Sequence, residues 1–157
     1  MNDKIIKLLQ NSTILEKLIN SDVIRLKNGK YSLNTKYIMG TVELKYKYAL
    51  LHLEDDEYTP HIEFEDLNGA YNGDFVIAKK VFHPRAKNKI KVEFVVSKKH
   101  ANILVYKKDF TLWSVKESLP ITYAFEMKNL KELDVAIIDT QTNTIVKNIG
   151  NFSDPSI

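Results

Sequence analysis

The residues of this chain best suited to chemistry are lysines and tyrosines rather than a catalytic constellation. Lys45-Tyr46-Lys47-Tyr48 alternates cations with rings. Such a run can neutralise phosphates with its ammonium groups and stack flat rings on bases, and on a half-buried strand Tyr46 and Tyr48 would serve equally well as core residues. A second set of cations follows: Lys79, Lys80, Arg85, Lys87, Lys89 and Lys91 lie in a stretch from Lys79 to Lys108 in which Glu93 is the sole acid. That field attracts phosphates by counterion release without reading sequence, although lysines on exposed strands also serve solubility alone. The segment between the two sets has the opposite sign, with Glu54, Asp55, Asp56, Glu57, Glu63, Glu65 and Asp66 and no Lys or Arg among them.

Other chemistries find no matching spacing. The four histidines, His52, His61, His83 and His100, form no His-x-x-x-His or His-Glu-x-x-His pair, so a catalytic zinc is not expected. Neither a Gly-x-x-x-x-Gly-Lys phosphate loop nor a Gly-x-Gly-x-x-Gly turn occurs. Asp55-Asp56-Glu57 lacks the spaced ligands and turn glycine of a calcium loop and reads as a solvated turn. With no cysteine, a disulfide framework and the usual structural zinc sites are excluded. No catalytic residue and no metal ligand is therefore assigned.

The elements that must position these residues are mostly strands. Apolar residues at 44% and charged residues at 27% fit a packed protein of 157 residues, enough for one ordinary domain or a few small ones. The start, MNDKIIKLLQ, has no long apolar run, so neither a signal peptide nor a membrane span is expected and the cytoplasm is the default location. Ile5, Ile6, Leu8 and Leu9 make one apolar side of a short helix. Thr13 and Glu16 have capping-box spacing before a second helix through Leu18 and Ile19, ending near Asn20. Asn28-Gly29 signals a tight hairpin between Val23 and Leu33.

From Gly40 to Leu50, Val42, Leu44, Tyr46, Tyr48 and Leu50 alternate with Thr41, Glu43, Lys45, Lys47 and Ala49, the period of one half-buried strand. A short strand at His61-Ile62-Glu63-Phe64 follows the acidic turn, and Tyr71-Asn72-Gly73-Asp74 turns into Phe75-Val76-Ile77-Ala78. After a turn at residues 84–88, strict alternation resumes. Ile90, Val92, Phe94 and Val96 should face the core, and Lys89, Lys91 and Glu93 the other side. Later strands are expected at Ile103–Tyr106, Thr111–Val115, Thr122–Glu126 and Val135–Asp139, with a final hairpin into Thr144–Ile149. Trp113 reads as a filler of the core or of a contact between domains rather than as a base platform, although its neighbours Leu112 and Val115 do not decide between them.

Gly40-x-Val42, the aromatic and basic strand, the strand at His61-Ile62, and Leu67-x-Gly69-Ala70-x-x-Gly73-Asp74-x-Val76 together carry a resemblance. They resemble the cold-shock-type oligonucleotide-binding (OB) domain at the front of ribonuclease R, of the RNase II/R family of 3′-to-5′ exoribonucleases. Gly73-Asp74-x-Val76 is the firmest match, and the family's glycine-phenylalanine contact strand is replaced by Lys45-Tyr46-Lys47-Tyr48-Ala49-Leu50. The resemblance implies a mostly β fold with an α+β start. A short winged-helix-like element over 1–36 would precede two cold-shock-type OB-fold five-stranded barrels over 37–97 and 98–150, with 151–157 leading toward a catalytic domain. The helical element either contacts nucleic acid or packs on the barrel, and its short helices favour packing.

By the same resemblance, this segment is a non-catalytic front end that binds single-stranded or frayed RNA and guides it toward the catalytic channel. Its RNA contacts would come from Lys45, Tyr46, Lys47, Tyr48, His61, Lys79, Lys80, Arg85, Lys87, Lys89 and Lys91. It would need no cofactor itself; magnesium is expected for the catalytic domain, whose aspartate cluster is absent from this sequence. Its partners would be RNA and that catalytic domain, with no membrane. The alternatives are a protein-interaction or scaffold module with protein partners, and an enzyme with a carboxylate site of its own.

Overall fold

The structure, a computed structural model, describes residues 1, 3–54, 57–82, 84–85, 89–121, 130–142 and 144–152. Two helices, α1 (Asp3–Asn11) and α2 (Leu15–Asn20), lead into a hairpin of β1 (Ile24–Lys27) and β2 (Lys30–Leu33). Asn28 and Gly29 both take positive φ, 53° and 74°, as the tight turn requires. The expected capping box does not form. Ile14 holds the cap position of α2, and Thr13, at φ 56°, turns its hydroxyl to the carbonyl of Ser12 instead.

A five-stranded antiparallel sheet follows, built from β3 (Tyr37–Leu44), β4 (Ala49–Leu53), β5 (His61–Ile62), β6 (Phe75–Val81) and β7 (Lys89–Ser97). Its spatial order is β5-β4-β3-β6-β7, and its two edge strands approach each other, so the sheet curls on itself. Val42, Leu44, Ala49, Leu51, Ile62, Val76, Ala78 and Val92 fill its inside. Its outside carries Met39, Phe75, Ile77 and Val96, covered by Ile5 and Leu9 of α1, Leu15 and Leu18 of α2, and Val23 and Ile24. The helical start therefore packs on the sheet. Short helices gain most of their stability from such tertiary burial.

The second β unit has four strands among the described residues: β8 (Asn102–Lys108), β9 (Thr111–Ser114), β10 (Asp134–Asp139) and β11 (Thr144–Asn151), in the order β11-β10-β8-β9. The strand expected at Thr122–Glu126 lies outside the described residues. Ile103, Val105, Leu112, Ala136 and Ile138 of this sheet join the same core as the inside of the first. The architecture is mostly β, with a curled sheet and a small helical start.

Three strand readings are corrected. The expected single strand through Leu50 is a hairpin: β3 ends at Leu44, β4 starts at Ala49, and the N–H of Lys45 donates to the carbonyl of Tyr48 at 2.8 Å. The buried positions shift from Val42 and Leu44 to Ala49 and Leu51, from even to odd, and that phase change is the mark of the turn. In β7, Ile90 and Val92 do face the barrel core, but Phe94 and Val96 pack on the helix side. Bulges cause the switch: Ala78 pairs with Val92 and Ile77 with Phe94, leaving Glu93 as an extra residue off the lysine row. The strand at His61 stops at Ile62, and Phe64–Asp66 forms a single 3₁₀ turn.

Candidate nucleic-acid interface

The turn Tyr71-Asn72-Gly73-Asp74 holds the first unit together and ties it to the second. Gly73 sits at φ 88°, which lets its N–H donate to Val42 at 2.7 Å. The buried Asp74 carboxylate accepts from the N–H groups of Tyr71 (2.8 Å) and Lys99 (3.2 Å) and lies 3.0 Å from the Lys98 ammonium. Burial raises the Asp74 carboxyl above its ordinary value, and Lys98 and the two N–H groups only partly offset that. Burial likewise pushes the Tyr71 hydroxyl up to about 12. Asn72 accepts from the N–H of Leu44 at 2.9 Å and donates to Glu117 of the second unit at 2.8 Å. Gly40, on β3, has a different reason to lack a side chain: a Cβ there would meet the backbone carbonyl of His52.

That frame fixes the outer face of β3, β4 and β5. By strand alternation and register, Glu43, Leu50 and His61 form one cross-strand row, and Thr41 and His52 the next. His61 is exposed and stacks on Tyr48, with ring centroids 4.7 Å apart and planes 5° from parallel. The hairpin tip projects Tyr46, which is 77% exposed, with the Lys47 ammonium 5.8 Å from its ring. Lys45 folds back to Glu43 at 3.4 Å, and His52 reaches the same carboxylate at 2.9 Å. The His52 hydrogen bond, followed by that of Lys45, holds the Glu43 carboxyl below its ordinary value.

The cations of the second set are divided. Lys79 pairs directly across from Lys91, and Lys89, opposite Val81, continues the same row. Lys89 reaches Glu65 at 3.4 Å and lines a cleft of about 420 Å³ together with Tyr58, His61 and Ile90. The row thus leads from the outside of β6 and β7 to the Tyr48–His61 stack. Lys80 instead falls in the row of Val76 and Ala78, Arg85 is exposed on the following turn, and Lys87 lies outside the described residues. The structure accordingly brings together Lys45, Tyr46, Lys47, Tyr48, His61 and Lys89, with Lys79 and Lys91 along one approach.

Three residues of this face were not among the expected contacts. Glu43 and His52 put a carboxylate and an imidazole on it, and the Thr41–Glu43 alternation already placed Glu43 among the outward residues. Trp113 is only half-buried and lines an open groove with Tyr46 and Phe64, a closeness between distant segments that spacing does not reveal.

The family-model match falls in the second unit. Residues 101–157 match the family model described as the ribonuclease R second OB domain. Among solved structures, the chain is similar to Mycoplasma genitalium RNase R in complex with ribose methylated single-stranded RNA. That similarity has a TM-score of 0.47 and 18% identity over 76% of this chain and 22% of that one. The apo form of the same RNase R is similar at a TM-score of 0.46, again with 18% identity and the same coverage. The chain thus spans 22% of the length of these structures. No curated protein matches. The matched domain is an OB domain and not a catalytic one, and the chain is in this sense similar to the OB region of ribonuclease R.

Proposed function

We propose that this chain binds single-stranded RNA without strong sequence preference, as the RNA-admitting region of a ribonuclease R-like exoribonuclease. The observation that carries the reading is the exposed Tyr48–His61 stack flanked by Lys47 and Lys89 on the outside of the curled sheet. Rings on a sheet face hold bases by stacking, while lysines beside them neutralise the backbone; neither contact depends on base identity. The family match of the second unit to an OB domain supports the same class of ligand. Tyr46, Tyr48 and His61 would stack, and Lys45, Lys47, Lys79, Lys89 and Lys91 would meet phosphates, with Lys80, Arg85 and Lys87 at the margin. Within a longer enzyme the same face would guide the strand toward a magnesium-dependent catalytic domain in the cytoplasm.

The test is binding of a labelled single-stranded RNA with magnesium present, at two salt concentrations. Binding that weakens steeply with salt and leaves the RNA intact is the expected result. Salt-independent affinity would remove the phosphate contacts from the reading, and magnesium-dependent release of nucleotides would make the chain an enzyme in its own right. A second reading, a protein-docking module, draws on the exposed Leu104, Phe110, Val146 and Phe152 of the second unit. It predicts weak RNA binding at low salt together with capture of a defined protein partner.

A further inference from the structure

A second aromatic feature lies apart from the Tyr48–His61 stack, where the two β units meet. The β3–β4 tip supplies one side of an open groove of about 540 Å³ with Tyr46 and Lys47; Phe64 and Glu65 contribute from the 3₁₀ turn, and Trp113 and Ile121 from the second unit. Trp113 is held in place. Its indole N–H donates to the carbonyl of Lys108 at 3.3 Å, and its backbone pairs with Tyr106 on one side and Pro120 on the other. With its N–H taken up by the chain's own backbone, the half-buried ring has only apolar surface to offer the groove.

Tyr46 leaves 77% of its surface in water, and Phe64 and Ile121 add apolar lining, so the groove is suited to a flat apolar body. The charge around it selects among such bodies. Lys47 stands at the rim, its ammonium 5.8 Å from the Tyr46 ring, and makes no ion pair among the described residues. Glu65, the acid in the lining, is held by Lys89 at 3.4 Å. A flat ring carrying a phosphate satisfies both features, because the ring covers the indole while Lys47 meets the anion.

We infer that this groove is a separate base-binding site, in which one unstacked nucleobase of a single-stranded nucleic acid rests on Trp113 with its phosphate at Lys47. The inference rests on the RNA-binding reading above and extends it to the second β unit. A strand lying on the Tyr48–His61 stack reaches the groove by way of the hairpin tip, since Tyr46 and Tyr48 belong to the same four-residue turn. Trp113 then serves as a base platform rather than as filler between the two units.

Trp113 is the chain's single tryptophan, so its emission reports this groove and nothing else. The experiment titrates the full chain at low salt with a single-stranded RNA octamer and with the same ribose-phosphate backbone lacking bases. Tryptophan emission is followed in one series and binding by anisotropy of labelled RNA in another. The expected result is quenching that saturates with RNA binding, no quenching by the abasic strand, and about tenfold weaker binding for Trp113→Ala, largely restored in Trp113→Phe. RNA that binds without changing the emission, with affinity unchanged in Trp113→Ala, would overturn the groove site while leaving RNA binding by the first unit intact. Absence of any RNA binding would overturn the RNA reading itself, and the groove site with it. If Trp113→Ala fails to fold, the emission titration of the unaltered chain decides alone.

Discussion

Asp74 gathers three polar partners, and the reason is its burial. A carboxylate removed from water must be compensated, and here two backbone N–H groups and the Lys98 ammonium do so. Lys98 also donates to the carbonyl of Gly69 at 2.6 Å, so both charges are tied to the same turn. Asp74→Ala leaves two N–H groups short of an acceptor and an ammonium short of its anion in the interior. It should cost about 3 kcal/mol, measured by urea denaturation. Gly40→Ala should also destabilise the chain, through backbone: its Cβ can be relieved only by moving β4 away from β3. A chemical-shift map of that variant should show the largest changes at His52 and Leu53. At the interface, Tyr48→Ala removes one ring of the Tyr48–His61 stack and should weaken RNA binding by about tenfold, read by anisotropy, with the fold retained because the side chain is exposed.

Among the elements, the helical start and the C-terminal hairpin are stabilised by different means. α1 and α2 are too short to persist alone, and Leu9 and Leu18, both fully buried, hold them on the outside of the first sheet. Leu18→Ala should cost about 3 kcal/mol in urea denaturation, from lost burial and the cavity left behind. β10 and β11 rely more on polar ties. Asp134 is desolvated, but Asn151, the N–H of Lys131 and Asn148 outweigh that and hold its carboxyl below the ordinary 3.8. Asp139, at the hairpin turn, is lowered by the N–H groups of Thr142 and Gln141. Lowered folded pKa values mean that the folded chain releases these protons more readily than the unfolded one. Their stabilisation is therefore complete above about pH 4 and is lost as pH falls through the lower folded values. Melting temperature should drop as pH is lowered below 4, and the drop should be shallower in Asp134→Asn.

On the scale of the whole molecule, a net charge of +3 is modest, so position decides the electrostatics. The Lys79–Lys91 pair and Lys89 make one continuous row that ends at the His61 cleft, whereas Lys80 falls in another row. Affinity for single strands falls with salt by about 0.7 log units per log unit for each phosphate neutralised. Lys47→Gln with Lys89→Gln should therefore flatten the salt dependence by more than one unit, measured by anisotropy over a salt series. Lys80→Gln should change it little. The two β units also share one continuous core, joined at their surfaces by the Asn72–Glu117 hydrogen bond, so they should unfold together in a single thermal transition.

Much of this was legible in the chain itself, for a local reason. Asn28-Gly29 and Gly73-Asp74 specify their turns through backbone conformations that few other residues adopt; alternation marks β8 because one of its faces is buried, and the unbroken apolar run Phe75–Ala78 marks β6 because both of its faces are. The lysines and tyrosines were equally visible, since residue type alone states what each group can bind. Tertiary structure decided the rest. Whether Lys45 to Tyr48 formed a strand or a hairpin tip depended on which residues the barrel buried after Leu44. One bulge in β7 turns Phe94 to the helix side, opposite Ile77, and Val96, the extra residue at a second bulge between Val95 and Ser97, packs on the same surface that the helices cover. Tyr46 and Trp113 came to line one groove only through the packing of two sheets, a contact between residues far apart in the chain that no local periodicity encodes.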